Sequence, residues 1–380
     1  MLQDFIWPFL FWLYVAATLV QLVVWWGIFK GLGIGDWGVG APNPKSQIPN
    51  PFSIIICARN EAENLRRYLP QVLAQEYSGA WEVIVVDDAS EDETSVVLQF
   101  FLGKNARLSV VRISDKKYFG KKHALAQGIA AAKFEHLLVT DADCEPASVC
   151  WLTHMAAALE EKPETEIVLG YGPMKRSGDG WLNNWSRFET THTAIQYFSF
   201  ALAGMPYMGV GRNLAFKKKV FKRVGGFSAH VDVPSGDDDL LVNAAATAKN
   251  IAICLHLESF VFSETKITWR EWAYQKRRHL AAGKRYRWKH QVVLALVSAS
   301  QVFHYFLFVV LMLGGFGMVS AVFLFFLRGF SVVFLYGKIL PKLRESSLLS
   351  RVPIYDTLLA VYYGAFVPLS LIARKAFQWK

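Results

Sequence analysis

The 380-residue sequence is poor in cysteine, with only Cys57, Cys144, Cys150 and Cys254, and no two are spaced as C-x-x-C. That excludes zinc-ribbon and thioredoxin-type motifs and leaves the four as reduced packing residues. There is no Walker loop, G-x-G-x-x-G or H-E-x-x-H, and no internal repeat or low-complexity tract. P-loop, dinucleotide-fingerprint and zincin chemistry therefore have no anchor here. Charge is also sparse. Only 19% of residues are charged against 53% hydrophobic, which excludes a disordered polyelectrolyte. The length allows two domains, or one domain with a membrane part.

What charge there is lies unevenly. The net charge is +10, but the stretch from Lys266 to His290 holds nine Lys/Arg and one acid, Glu271. That block alone is +8, leaving +2 for all other residues, so a uniformly basic nucleic-acid binder fits poorly. The block precedes a long apolar region. No charge occurs from Gln291 to Leu327, and Arg328 and Lys338 are the only charges up to Leu340. This is enough for two membrane spans of about 20 residues each, with a turn expected at Gly314, Gly315 and Gly317. A further span reads from Pro353 to Ala373, and an N-terminal one from Phe5 to Phe29. The N-terminal run carries Asp4, lacks Lys or Arg at its start and has no A-x-A site, so it predicts an uncleaved anchor. Lys30 and Lys45 after the first span, and the basic block before the second, place residues 30–290 in the cytoplasm by the positive-inside tendency. The tail Arg374, Lys375 and Lys380 conflicts with four full spans, which predicts a re-entrant or interfacial last segment, unless the rule fails there.

Gly40–Pro51 reads as a linker. Beyond it, short β-branched runs (Ser53–Cys57, Glu82–Val86, Leu108–Ile113, His136–Thr140 and Ile167–Gly170) alternate with helix-like stretches (Glu61–Leu73, Lys121–Lys133 and Ala147–Glu160). This alternation predicts βαβ units and a mostly parallel, covered sheet, with ligands beyond the carboxyl ends of its strands. Three acidic clusters follow strand-like runs. Asp87 and Asp88 could accept hydrogen bonds from a base or ribose, while Ser90 or Asp92 suffices to cap the next helix. Asp141 and Asp143, as D-x-D, can converge on one hard divalent cation that bridges to phosphate. Asp237, Asp238 and Asp239 exceed what a helix N-terminus needs, and their mutual repulsion raises at least one pKa, which suits a general base.

Taken together, these segments resemble family-2 glycosyltransferases. Cys57-Ala58-Arg59-Asn60-Glu61 resembles that family's nucleotide-proximal motif, and Val86–Asp92 its uridine-contacting segment. Gly120–Leu125 is similar to its G-K-x-x-A-L turn, and Asp141–Asp143 to its D-x-D. Gly211-Arg212-Asn213-Leu214-Ala215-Phe216 is similar to the G-x-N-x-A-F segment near the acceptor, Gly236–Asp239 to the E-D or G-D-D motif of the catalytic base, and Gln275–His279 to Q-x-x-R-W. The resemblance covers about residues 50–290. It implies a GT-A fold (Rossmann-like, mostly parallel), a nucleotide-sugar donor and Mg2+ or Mn2+. It assigns Asp238 as base, or Asp237 after a one-residue shift, with Gln275 and Arg278 also catalytic. Arg59, Glu61, Asp87, Asp88, Lys121 and Asp141 fall on the donor side, Asp143 with Asp141 on the metal, and Asn213, Asp239 and His279 on the acceptor side. Lys121 and Arg278 could hold phosphate oxygens. The Trp of Q-x-x-R-W is His279 here, which weakens an inference to polymerising members. A second partial match, Lys284–Trp288, keeps R-W but begins with Lys.

The expected organisation is an anchor at 1–30, a linker at 31–50, the GT-A domain at 51–265, a basic aromatic interfacial helix at 266–290, and two or three spans in 291–380. Trp269, Trp272, Tyr286 and Trp288 mark the basic block as lying on anionic lipid. The apolar Thr193–Gly211 reads as a second interfacial segment, on the acceptor side. The function implied is an inverting glycosyltransferase of the inner (cytoplasmic) membrane, its catalytic domain facing the cytoplasm. It would use a UDP- or GDP-sugar and a lipid-linked or membrane-proximal glycan acceptor, in envelope glycolipid or polysaccharide assembly, with no nucleic-acid partner. The alternatives are a processive polysaccharide synthase and a catalytically silent nucleotide-sugar-binding assembly subunit.

Overall fold

The computed structural model describes residues 2–35, 49–114, 120–233 and 235–372. Most of the expected linker and the basic tail from Arg374 lie outside these. The chain divides into two compact units, one holding the first helix and the chain from Arg287 onward, the other the chain between them up to Tyr286.

The second unit is built on β1 (Phe52–Ala58), β2 (Trp81–Asp88), β3 (Leu108–Ile113), β4 (His136–Asp141), β5 (Cys144–Pro146), β6 (Ile167–Gly170), β7 (Leu214–Lys217), β8 (Ile251–Cys254) and β9 (Val261–Ser263). Seven strands form one sheet in the order β3-β2-β1-β4-β7-β6-β8, and β5 and β9 pair separately. Every neighbouring pair in the large sheet is parallel except those of β7, which runs antiparallel to both β4 and β6. The five strands expected from β-branched runs are all present. The others are three or four residues long, too short to show a period.

Continuous burial along β1 and β2 shows that both faces of the sheet are covered. The helix Lys121–Ala131 packs so closely that a Cβ on Gly128 would meet Ile55 Cγ2 at 2.6 Å and Val86 Cγ2 at 3.0 Å. Gly128→Ala is expected to cost about 1–3 kcal/mol by overpacking, read as a lower unfolding midpoint. An unchanged midpoint would show that the helix shifts freely.

Two expectations change. Residues 193–202 are the second half of the helix Trp181–Leu202, whose side chains are buried almost throughout. Packing inside the protein accounts for their apolarity, not a lipid surface. The basic block is not one helix either. Thr268 and Glu271 form a capping box that starts the helix Trp269–Gly283, and a separate helix begins at Trp288.

In the other unit, the four segments Phe5–Ile34, Trp288–Gly314, Met318–Leu343 and Ser346–Ser370 are long and apolar enough to cross a membrane. The turn between the second and third runs through Gly315 and Gly317, both at positive φ (69° and 62°), which favours glycine. The last segment thus has the length of a full crossing, as the apolar run from Pro353 suggested, and its length alone leaves the choice between a re-entrant segment and a failure of the positive-inside rule where it stood.

Candidate active site

Register brings the acidic clusters together. Cys57 pairs with both Val86 and Asp141, and Ala58 pairs with Asp87, so Asp87 and Asp141 flank the carboxyl end of β1. The loops leaving β1 and β2 are tied to each other. Asn60 N–H donates to Ser90 Oγ (3.0 Å), Glu91 N–H to Asn60 Oδ1 (2.8 Å) and Glu61 N–H to Thr94 Oγ1 (2.9 Å). Asp92 accepts from Thr94 N–H at 2.9 Å and from Ala62 N–H at 3.2 Å, so it serves both helices. Asn60 and Ala89 hold positive φ (55° and 54°), local strain of the kind concentrated at functional sites.

Lys121, the first residue of its helix, pairs with Asp141 and lies 3.4 Å from Asp237. Burial opposes its charge, but these two carboxylates outweigh that and hold it protonated well above the ordinary lysine range. Burial likewise pushes Asp141 upward, yet Lys121 first, then Arg212 and Arg278, bring its carboxyl below the usual value. Glu61 is pushed up to about 7, mainly by burial, with Asp143 and Asp141 adding to it.

The three consecutive acids have three different environments. Asp237 is buried against Lys121. Asp239 is buried and accepts from Tyr286 OH at 3.0 Å; burial, then Asp238, raise its pKa well above the ordinary range. Asp238 alone is half-buried. Its carboxylate accepts from the backbone N–H groups of Gly211 and Asp239, and burial, then Asp237, raise its pKa to about 6. Gly211 gives this approach room, since a Cβ there would lie 3.1 Å from Asp238 Oδ2 and the carboxylate would have to give by a few tenths of an ångström.

Oxygens of Asp141 and Asp143 and Cys144 Sγ lie within 4.8 Å of one another. Burial holds the Cys144 thiol protonated, so the donors that fit a hard divalent cation are the two carboxylates. The helix Trp269–Gly283 presents Gln275 and Arg278, both half-buried, and His279, which is exposed. The protein packed around this exposed ring, then the cations Lys276, Arg278, Arg212 and Lys266, hold its pKa well below the ordinary imidazole range.

Some expected site residues are engaged inside the protein. Asn213 is fully buried. Its amide donates to the carbonyls of Tyr171 (2.9 Å) and Ser259 (2.8 Å) and accepts from Trp151 Nε1 (2.9 Å). It is a strut of the core rather than an acceptor-side residue, while Asp239, as buried as Asp237, engages Tyr286. Asp88 is fully buried. Asp87, nearly so, spends one oxygen on Ser90 N–H at 3.1 Å. Arg59 is half-buried on the loop after β1.

Two residues were overlooked. Arg212, the variable position of G-R-N-L-A-F, donates to Ser263 Oγ at 3.1 Å and adds a cation near Asp141. Lys122 is buried and donates to the carbonyls of His230 (2.7 Å) and Val233 (2.8 Å), anchoring the chain shortly before the three acids. The adjacent Lys121-Lys122 pair was the available sign that one lysine points inward.

Comparison with known proteins adds the following. Residues 53–225 match the family model described as glycosyl transferase family 2. A beta-monoglucosyldiacylglycerol synthase of Trichormus variabilis is 33% identical over 145 residues, 35% of this chain and 31% of that protein. A 4,4'-diaponeurosporenoate glycosyltransferase of Staphylococcus aureus is 36% identical over 92 residues, 24% of each chain. The match thus spans about a third or less of these curated relatives. Among solved structures, a mannosyltransferase of Pyrobaculum calidifontis in complex with GDP-Man and Mn2+ superposes with a TM-score of 0.58 at 20% identity, covering 94% of this chain and 98% of that one. At that identity the likeness speaks for the fold, GT-A.

Proposed function

We propose, from the match of residues 53–225 to the glycosyl transferase family 2 model, that this chain is a glycosyltransferase and transfers a sugar with inversion from a UDP- or GDP-sugar to a lipid-linked or membrane-proximal acceptor. The observation that carries this reading is the sorting of the three acids. Only Asp238 combines access to the cleft with a raised pKa, and it lies next to the residue that pairs with Lys121.

In this reading Asp238 takes the proton of the acceptor hydroxyl as that oxygen bonds to the anomeric carbon. The bond from that carbon to the diphosphate oxygen breaks, and the departing charge is met by Lys121, Arg278 and Arg212. Asp141 and Asp143 would hold Mg2+ or Mn2+, which when bound supplies further positive charge to the diphosphate. Asp237 keeps Lys121 charged and in place. Asp87, Arg59 and Glu61 fall to the nucleotide side, and Gln275 and His279 to the rim near the acceptor. The two curated relatives, both named for lipid-like acceptors, support a lipid acceptor here. The four apolar helices support a membrane setting, and the Lys/Arg clusters beside them a cytoplasm-facing catalytic domain in the inner membrane.

The test is a panel of UDP- and GDP-sugars, each with Mg2+, Mn2+ or chelator, using the full chain in native lipid. One donor is expected to be consumed only with metal, yielding a lipid bearing a single added sugar. Long polymer formed without a lipid-linked primer would favour a processive synthase, and metal-independent turnover would remove the roles given to Asp141 and Asp143.

A further inference from the structure

Two imidazoles and a carboxylate meet on residues that play no part in the chemistry above. His154 belongs to the helix Trp151–Glu160, while His256 and Glu258 belong to the short turn between β8 and β9. Their ligand-capable atoms all lie within 4.8 Å of one another. His154 Nε2 is 3.1 Å from Glu258 Oε2, and His256 Nδ1 is 3.8 Å from the same oxygen. Donors about 2.1 Å from a tetrahedral zinc ion stand roughly 3.4 Å apart, and the two separations bracket that value.

A hydrogen-bonded surface pair would explain His154 with Glu258. It does not explain a second imidazole stacked on the first, ring centroids 3.5 Å apart and planes 16° from parallel, with its own nitrogen turned to the same carboxylate. Glu258 N–H donates to His256 Nδ1 at 3.3 Å, so that nitrogen is unprotonated, and zinc would take over the lone pair that this backbone contact now uses. A water molecule would complete the four-coordinate shell.

We propose that His154, His256 and Glu258 form a zinc site that clips the helix Trp151–Glu160 to the β8–β9 turn. Two imidazoles with one carboxylate are a borderline donor set that takes Zn2+ in preference to Mg2+ or Mn2+, the reverse of the all-oxygen pair Asp141 and Asp143. On binding, the rings splay from the stack so that both in-plane lone pairs meet one ion. The clip braces β9, which pairs with β5 immediately after Asp143, and whose Ser263 accepts from Arg212.

The full chain, purified in detergent and stripped with chelator, is titrated with ZnCl2 and in parallel with MnCl2. The wild type and Asp143→Asn are expected to retain one equivalent of zinc after desalting. Their Tm should rise by roughly 5 °C or more at a hundredfold excess over Kd. Glu258→Gln and His256→Ala are expected to lose both the zinc and the shift, and Mn2+ to give neither in Asp143→Asn, where the carboxylate pair that would take it is broken. Zinc retained equally by wild type and Glu258→Gln, or by neither, overturns the site. If His256→Ala does not fold, Glu258→Gln at the half-exposed carboxylate carries the comparison.

Discussion

Asp238→Asn is expected to lower kcat by about a thousandfold, within the range that removal of a general base produces, while the KM for donor changes little. The carboxylate's contacts to Gly211 and Asp239 N–H need only an acceptor oxygen, and the amide of asparagine supplies one, so the loop keeps its place. What is lost is the capacity to take a proton. Asp237→Asn should behave differently, because Asp237 is buried on Lys121 and its charge helps hold that ammonium where the diphosphate would lie. Its main effect should be a raised KM for donor. The two variants therefore separate the roles: if Asp237→Asn gives the large kcat loss and Asp238→Asn the KM effect, the base is Asp237. The pH profile provides a second check. Asp238 must be ionised to act, and burial raises its pKa to about 6. Turnover should fall about tenfold per pH unit below that value and level off above it. In Asp238→Asn, the residual rate should lose this limb.

Much of this arrangement was legible before any coordinates. Five strands announced themselves as β-branched runs, β1 and β2 most clearly, because a strand buried on both faces must be apolar throughout. Seven motifs in order pointed to acids at strand ends, where a parallel sheet gathers its ligands; this holds for Asp87, Asp88 and Asp141, whereas Asp237–Asp239 open the helix Asp239–Ala245. Other features were hidden for identifiable reasons. Strands of three or four residues such as β5 and β9 carry no period. The division of labour among Asp237, Asp238 and Asp239 depends on Lys121, Gly211 and Tyr286, which lie far away in sequence. Asn213 stood in an acceptor-side motif, but its amide is consumed by Tyr171, Ser259 and Trp151. Motif order reports which residues gather, not which of them face solvent. The clustering of His154 with His256 and Glu258 had no signature, since a helix and a distant turn supply its members.

The apolar helices contain the second large effect. Arg328, near the middle of the helix Met318–Ile339, is buried and paired with Asp356 of the helix Val352–Val361. Its guanidinium also donates to Gln21 Oε1 (2.9 Å) on the first helix and to Tyr305 OH (3.0 Å) on the second. Gln301 Nε2 donates to Asp356 Oδ1 at 3.1 Å, so each of the four long apolar segments contributes to one network. A charge at mid-helix in a membrane has no water to turn to, and its cost is met only by such partners. Asp356→Leu should therefore destabilise this helical unit by about 3–5 kcal/mol, because it strands the guanidinium. Adding Arg328→Met removes the stranded charge, and the double variant should recover most of the loss or exceed the wild type. The measurement is a double-mutant cycle of unfolding in detergent micelles. Equal, additive losses for the two substitutions would mean that the pair is not coupled and that the fourth helix is held by apolar packing alone. Recovery in the double variant would instead show that the ion pair draws the last segment in among the other three, despite the basic residues that follow it.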